Sequence, residues 1–183
     1  MALKKTSGSV VIKQSITESG AATYTQERIS LGLNTLDNEV FVVEALHIDP
    51  VAPKDLVMVG GKAAGTTTIQ VATTSQSGIG LDASAILGYA RAGLACEAFL
   101  AASLGAGFTT DVMATWSLDG GSLDSRGDGE PIGIIATPDF FIGILGSGSP
   151  DAQQGTVWMT GYRAKADAAT YAALVQSELL SSA

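Results

Sequence analysis

One cysteine, one histidine and a charged fraction of only 15% leave this chain short of the usual materials of catalysis and metal binding. Cys96 alone excludes an internal disulfide framework and any cysteine-rich zinc site. A hydrolase triad would have to use His47, which sits mid-strand, and the sequence holds no Gly-x-Ser-x-Gly elbow. A structural histidine is the plainer reading. Prolines number only 5 and aromatics make up 6%. The most membrane-like stretch, Ala83–Phe108, is mostly Ala and Gly and carries Arg91 and Glu97. Each of these would cost about 2.5–3.5 kcal/mol at a bilayer centre, so it is not read as a transmembrane helix. Met1–Gln14 has Lys4 and Lys5 but no apolar run behind them, and no signal peptide is expected.

What the chain does have is 22 glycines and a 46% apolar fraction in 183 residues. One domain of this length buries roughly 70% of the surface its unfolded chain exposes, enough for a core without staples. Few charges among much Gly, Ala, Ser and Thr suit a β fold with many turns. They equally suit a subunit covered by neighbours, because charge is depleted at interface cores. The formal net charge of −8 argues against a surface that is wholly a nucleic-acid footprint. Residues 1–9 form an N-terminal arm that is locally basic through Lys4 and Lys5, with the first acid at Glu18. The arm is read as a solvated tail or as a contact with lipid headgroups or nucleic acid.

Alternation marks the strands. Gly8–Ile16 puts Val10, Ile12 and Ile16 on one face, and Thr23–Leu33 does the same with Ile29, Leu31 and Leu33. An Asn34–Asn38 turn leads to Glu39–Ile48, where Val40, Val42, Leu46 and Ile48 share a face interrupted by Glu44 and Phe41, Val43 and Ala45 share the other. Apolar character on both faces predicts a central strand covered on each side, ended by Asp49-Pro50. Thr66–Thr74 is rich in β-branched residues. Ala85–Ala92 reads as a strand, and Cys96–Leu104 stays open between a helical turn and a strand. Thr110–Leu118 and the short Pro131–Ala136 follow, on either side of a polar glycine loop, Asp119–Glu130.

Asp139–Asp167 organises the rest. Two extended apolar runs flank Gly146-Ser147-Gly148 and its breakers, which predicts a β-hairpin. Asp167 then caps a helix over 167–181 with Tyr171, Leu174, Val175 and Leu179 at one-face spacing. About eight to ten short strands with one terminal helix predict an all-β sandwich or barrel.

Few motifs suggest a site. Gly60-Gly61-Lys62 fails as a phosphate loop, since Ala63 follows the lysine and no helix pattern comes next. Asp124, Asp128 and Glu130 could offer oxygen ligands to calcium, but Arg126 breaks the EF-hand spacing. A solvated loop is the plainer reading. Arg126-Gly127-Asp128 is an adhesion tripeptide in some extracellular proteins, and three residues recur by chance.

The layout as a whole resembles a known family. A strand ends in Leu46-His47-Ile48-Asp49-Pro50, a Thr-rich strand follows, and then Ala85-Ile86-Leu87-Gly88-Tyr89-Ala90-Arg91. Later come Ile134-Ile135-Ala136-Thr137-Pro138-Asp139-Phe140-Phe141-Ile142-Gly143-Ile144, a Gly-Ser loop and a strand into Gly161-Tyr162-Arg163-Ala164-Lys165-Ala166-Asp167. This resembles the single jelly-roll major capsid proteins of tailless icosahedral viruses. The resemblance implies a two-sheet jelly roll of about eight strands filling residues 1–183. It implies a structural protein with no cofactor and no small-molecule substrate, assembled with copies of itself and with minor capsid proteins in a virion. Departures are the Ala/Gly-rich Asp82–Ala106 and an arm too weakly basic for packaging a genome. The competing class is a jelly-roll carbohydrate- or surface-binding module using loops such as Asp119–Glu130. An enzyme of cupin type would need more histidines than one.

Overall fold

A computed structural model of the chain describes residues 3–56, 62–80, 85–100, 108–118, 122–124 and 131–180. Its strands, in chain order, are β1 (Lys4–Lys5), β2 (Val10–Thr17), β3 (Thr25–Ser30), β4 (Glu39–Pro50), β5 (Lys62–Ala72) and β6 (Ile86–Leu100). There follow β7 (Phe108–Leu118), β8 (Ser122–Asp124), β9 (Gly133–Ile135), β10 (Asp139–Ser147) and β11 (Gln154–Lys165), and then helix α1 (Ala168–Leu180).

The pairings nest. β2 lies against β11, β3 against β10, β4 against β8 and β9, and β5 against β6, all antiparallel. One long antiparallel hairpin wound about an axis produces this pattern, with successive rungs falling alternately into two sheets. The chain is accordingly an all-β, two-sheet sandwich of jelly-roll type. β1 and β2 both pair with β11, which lies beside β4, with β8 and β9 along the far side of β4. The second sheet runs β3-β10-β5-β6-β7, with β7 as an additional strand beyond β6.

The core lies between the sheets. Phe41, Val43, Leu46 and Ile48 of β4 and Val157 and Met159 of β11 meet Ile69 and Val71 of β5 and Phe140, Ile142 and Ile144 of β10. Phe140 is fully buried, whereas its neighbour Phe141 points to the outer face and is half-buried. In β4 the inward phase changes midway. Ala45 pairs with Thr160 and Val43 with Gly161, so Glu44 has no opposite number. That extra residue is a β-bulge, and it turns Val40 and Val42 to the outer face while Leu46 and Ile48 stay inward. The two-faced pattern of this strand therefore has a cause the alternation alone did not supply.

The expected hairpin at Asp139–Asp167 is not one. β10 pairs with β3 and β5, and β11 pairs with β2 and β4, so the two strands lie in different sheets. The Gly-Ser stretch is a corner between layers. Residues 148–153 can span the ~10 Å between sheets, since an extended residue covers about 3.3 Å. Gly148 makes the corner possible. Its φ is +71°, and a Cβ there would lie 1.9 Å from the Ala64 carbonyl oxygen. Local pattern predicted two strands and a turn correctly; the partners that decide the sheet are distant in sequence.

Other boundaries moved less. The strand expected over Ala85–Ala92 continues to Leu100 as β6, resolving 96–100 of the open segment as strand, while 101–104 lie outside the described residues. Asp119–Glu130 is not loop throughout, because Ser122–Asp124 pairs with Ala45–His47 of β4.

Asp167 caps α1 as expected. The Thr170 amide donates to its Oδ1 at 2.9 Å and the Thr170 hydroxyl to its Oδ2 at 2.8 Å. These bonds hold the Asp167 carboxyl below its ordinary pKa, because both favour the charged form. Tyr171, Leu174 and Val175 then pack against Val40, Val42, Ala136 and Ala164, roofing half of the outer face of the six-stranded sheet.

Candidate functional site

Three places on the described surface combine polar chemistry with shape. The first is the unroofed half of the same outer face. Lys13 of β2, Trp158 of β11 and His47 of β4 stand opposite one another in one row across three strands. The Lys13 ammonium lies 4.9 Å from the Trp158 ring centroid, and the His47 ring centroid is 5.0 Å away, tilted by 49°. Lys5 sits 4.1 Å over Tyr162 farther along the strand. The arm is thus partly built into the sheet: Lys4 and Lys5 pair with Lys165 and Ala164, and the Thr6 amide bonds the Arg163 carbonyl. His47 is exposed at the end of this row, with its ring packed against Trp158.

The second place joins helix to sheet. Glu178 is buried, and its two carboxylate oxygens accept the amides of Ala136 at 2.8 Å and Thr137 at 3.0 Å. Desolvation outweighs these bonds and raises its pKa above the ordinary carboxylate value. A cavity of about 280 Å³ lies beside it, lined by Ile86, Leu87, Ile132, Ile134 and Leu174.

The third place is the outer face of the five-stranded sheet. Gln26, Gly143 and Gln70 form one row across β3, β10 and β5, and Tyr24 lies over the bare Gly143. The Tyr24 hydroxyl accepts from Gln26 Nε2 at 3.0 Å and Gln70 Nε2 at 3.2 Å. Burial raises its pKa. Gln70, itself fully buried, donates to the Gly78 carbonyl at 2.8 Å and accepts the Gly80 amide at 2.9 Å. Gln26 Oε1 receives the Ser75 hydroxyl at 2.8 Å. Residues 74–80 are thereby strapped across the sheet. Beside the strap is a groove of about 440 Å³, with the cross-strand pair Arg28 and Phe141 on its floor and Arg28 bonded to Asp139.

The calcium candidates are not brought together by anything described. The backbone of Asp124 belongs to β8, opposite Ala45, and Asp128 and Glu130 lie outside the described residues, as does Arg126. Among the described residues no group of three or more metal-ligating side chains converges. Sequence reasoning missed Glu18, Arg28, Gln70, Asp139 and Glu178. One of them carried a signal: Glu178 stands seven residues after Tyr171, on the apolar stripe of α1. Among the described residues no helix is long and apolar enough to cross a membrane. No protein-family model matches the chain, and no curated protein matches it.

Proposed function

We propose that the chain is a structural viral capsid protein that assembles with copies of itself into capsomers of an icosahedral shell. The observation that carries this reading is the nested strand order of the jelly roll, occupying nearly all the described chain and agreeing with the layout resemblance drawn from the sequence. Edge chemistry supports it. β2 and β3 are edge strands of the two sheets, and the Gln14 amide of one bonds the Glu27 carboxylate of the other at 2.9 Å. Among the described residues no further strand pairs with these edges, and with Val10 and Val11 exposed beside them they suit lateral contact with another subunit. In this reading the protein belongs in the virion, minor capsid proteins are further partners, and no reaction is catalysed.

Size-exclusion chromatography with light scattering, followed by electron microscopy of the leading fraction, tests the proposal. Capsomers or closed shells are expected, with subunit contacts well above the ~800 Å² typical of crystal packing. A protein that stays monomeric at high concentration rules it out.

A further inference from the structure

We propose that the groove beside residues 74–80 is a binding site for a neutral hexose. A pyranose ring presents an apolar C–H face and a fan of hydroxyls that each need both donors and acceptors. Phe141 supplies a half-buried aromatic surface on the groove floor. Arg28 supplies donors: one nitrogen bonds Asp139, its other N–H groups have no partner among the described residues, and the side chain is 68% exposed. The hydroxyls complete the set. Thr74 Oγ1 accepts from Gln76 Nε2 at 3.1 Å, which leaves its proton free to donate. Ser75 donates to Gln26 at 2.8 Å and Thr137 to the Asp139 carbonyl at 3.0 Å, which leaves their lone pairs free to accept.

Charge selects against the alternatives. The Arg28 cation is already balanced by the mostly buried Asp139 carboxylate, so the groove carries no net charge to attract an anion. Its lining surface is mostly apolar, which suits the C–H face of a pyranose, while Arg28, Thr74, Ser75 and Thr137 offer partners to the hydroxyls that a purely apolar ligand would leave unused. The cavity of about 440 Å³ falls within the usual range for small-molecule sites. The geometry is also fixed in advance: the Gln26–Tyr24–Gln70 network holds the strap, and the Asp139 carboxylate holds Arg28, so little ordering is left to oppose binding.

This inference goes beyond the shell reading and does not depend on it. The test titrates the full chain with glucose, galactose, mannose and N-acetylglucosamine, with glycerol and glucuronate as controls, followed by two-dimensional NMR. At least one neutral sugar is expected to saturate at millimolar concentration, shifting the amides of Arg28, Ser75 and Phe141, while glycerol does not saturate. Arg28→Gln and Arg28→Lys are each expected to weaken binding at least tenfold. The lysine variant keeps an ion pair for Asp139, which guards against a loss caused by misfolding. The proposal fails if no hexose saturates, if only glucuronate binds in a salt-sensitive way, or if both variants bind as well as the native chain. Sizing of the same samples reports assembly separately, so failure here is distinguishable from failure of the shell proposal.

Discussion

The Glu18 carboxylate accepts the backbone amide of Gly146 at 2.6 Å, joining residues 128 positions apart. Its other oxygen accepts the Gln153 amide at 2.7 Å, and its own amide donates to the Gln153 carbonyl at 2.9 Å. The corner that carries the chain from one sheet to the other is therefore clamped at both ends by one buried acid. Glu178 does the same at residues 136–137, just before β10, so this interior strand of the five-stranded sheet is fixed by a carboxylate near each end.

Removing the first clamp leaves two buried amides without acceptors. Glu18→Ala is expected to lower stability by about 3 kcal/mol, since bonds to a charged acceptor are strong and orphaned donors add their own cost. Urea unfolding measures it, and a loss below about 0.5 kcal/mol contradicts the clamp.

The adjacent phenylalanines should separate cleanly. Phe140→Ala opens a cavity in the core and should cost about 3–5 kcal/mol. Phe141→Ala trims a half-buried side chain on the outer face and should cost clearly less. A larger loss for Phe141→Ala than for Phe140→Ala in thermal or urea unfolding would mean that the inward and outward phases of β10 are exchanged.

Gly143→Ala puts a Cβ 2.4 Å from the Tyr24 hydroxyl oxygen and 2.9 Å from its ring. Tyr24 must move, and Gln26 and Gln70 lose their shared acceptor. The expected outcome is faster amide exchange across residues 74–80. Overpacking of this kind also costs about 1–3 kcal/mol. Tyr24 should ionise nearer the ordinary tyrosine value once it leaves its buried seat, which ultraviolet titration detects. Unaltered exchange in the strap would show that Tyr24 does not hold it.

Glu178 gives a pH signature of definite sign. Its folded pKa is raised, so between the ordinary carboxylate value and the folded value the native state binds more protons than the unfolded one. Its contribution to stability then falls as pH rises through that window and levels off above it. The difference in unfolding free energy between the native chain and Glu178→Gln, followed from about pH 4 to about pH 8, should decline and then flatten. A difference that grows with pH reverses the assignment.

Alternation in Glu39–Ile48, Thr23–Leu33 and Gly8–Ile16 made the strands legible, and Asp167 with its apolar stripe made α1 legible, because these signals are local. The sheet to which a strand belongs is decided by partners far away, and the run through Asp139–Asp167 looks the same whether it closes a hairpin or turns a corner. The bulge at Glu44 showed only as a break in pattern. Gln70 and Glu18 were unreadable for a related reason. A polar residue in a strand, like Gln70, or just past its end, like Glu18, reads as solvent-facing until the segment that covers it is known, here residues 74–80 and 146–153.

The nesting of the strands also fixes when the protein can fold during synthesis. β10 lies between β3 and β5, and β11 lies between β2 and β4. Until residues 139–165 leave the ribosome, each sheet has a gap where an interior strand belongs, and β2 and β3 have no ladder partner among the described residues. Earlier-made strands wait with open edges and uncovered core residues such as Phe41 and Ile69, the condition in which nascent chains associate wrongly. Translation products truncated before β10 should therefore be captured by chaperones or degraded rather than persist as folded fragments.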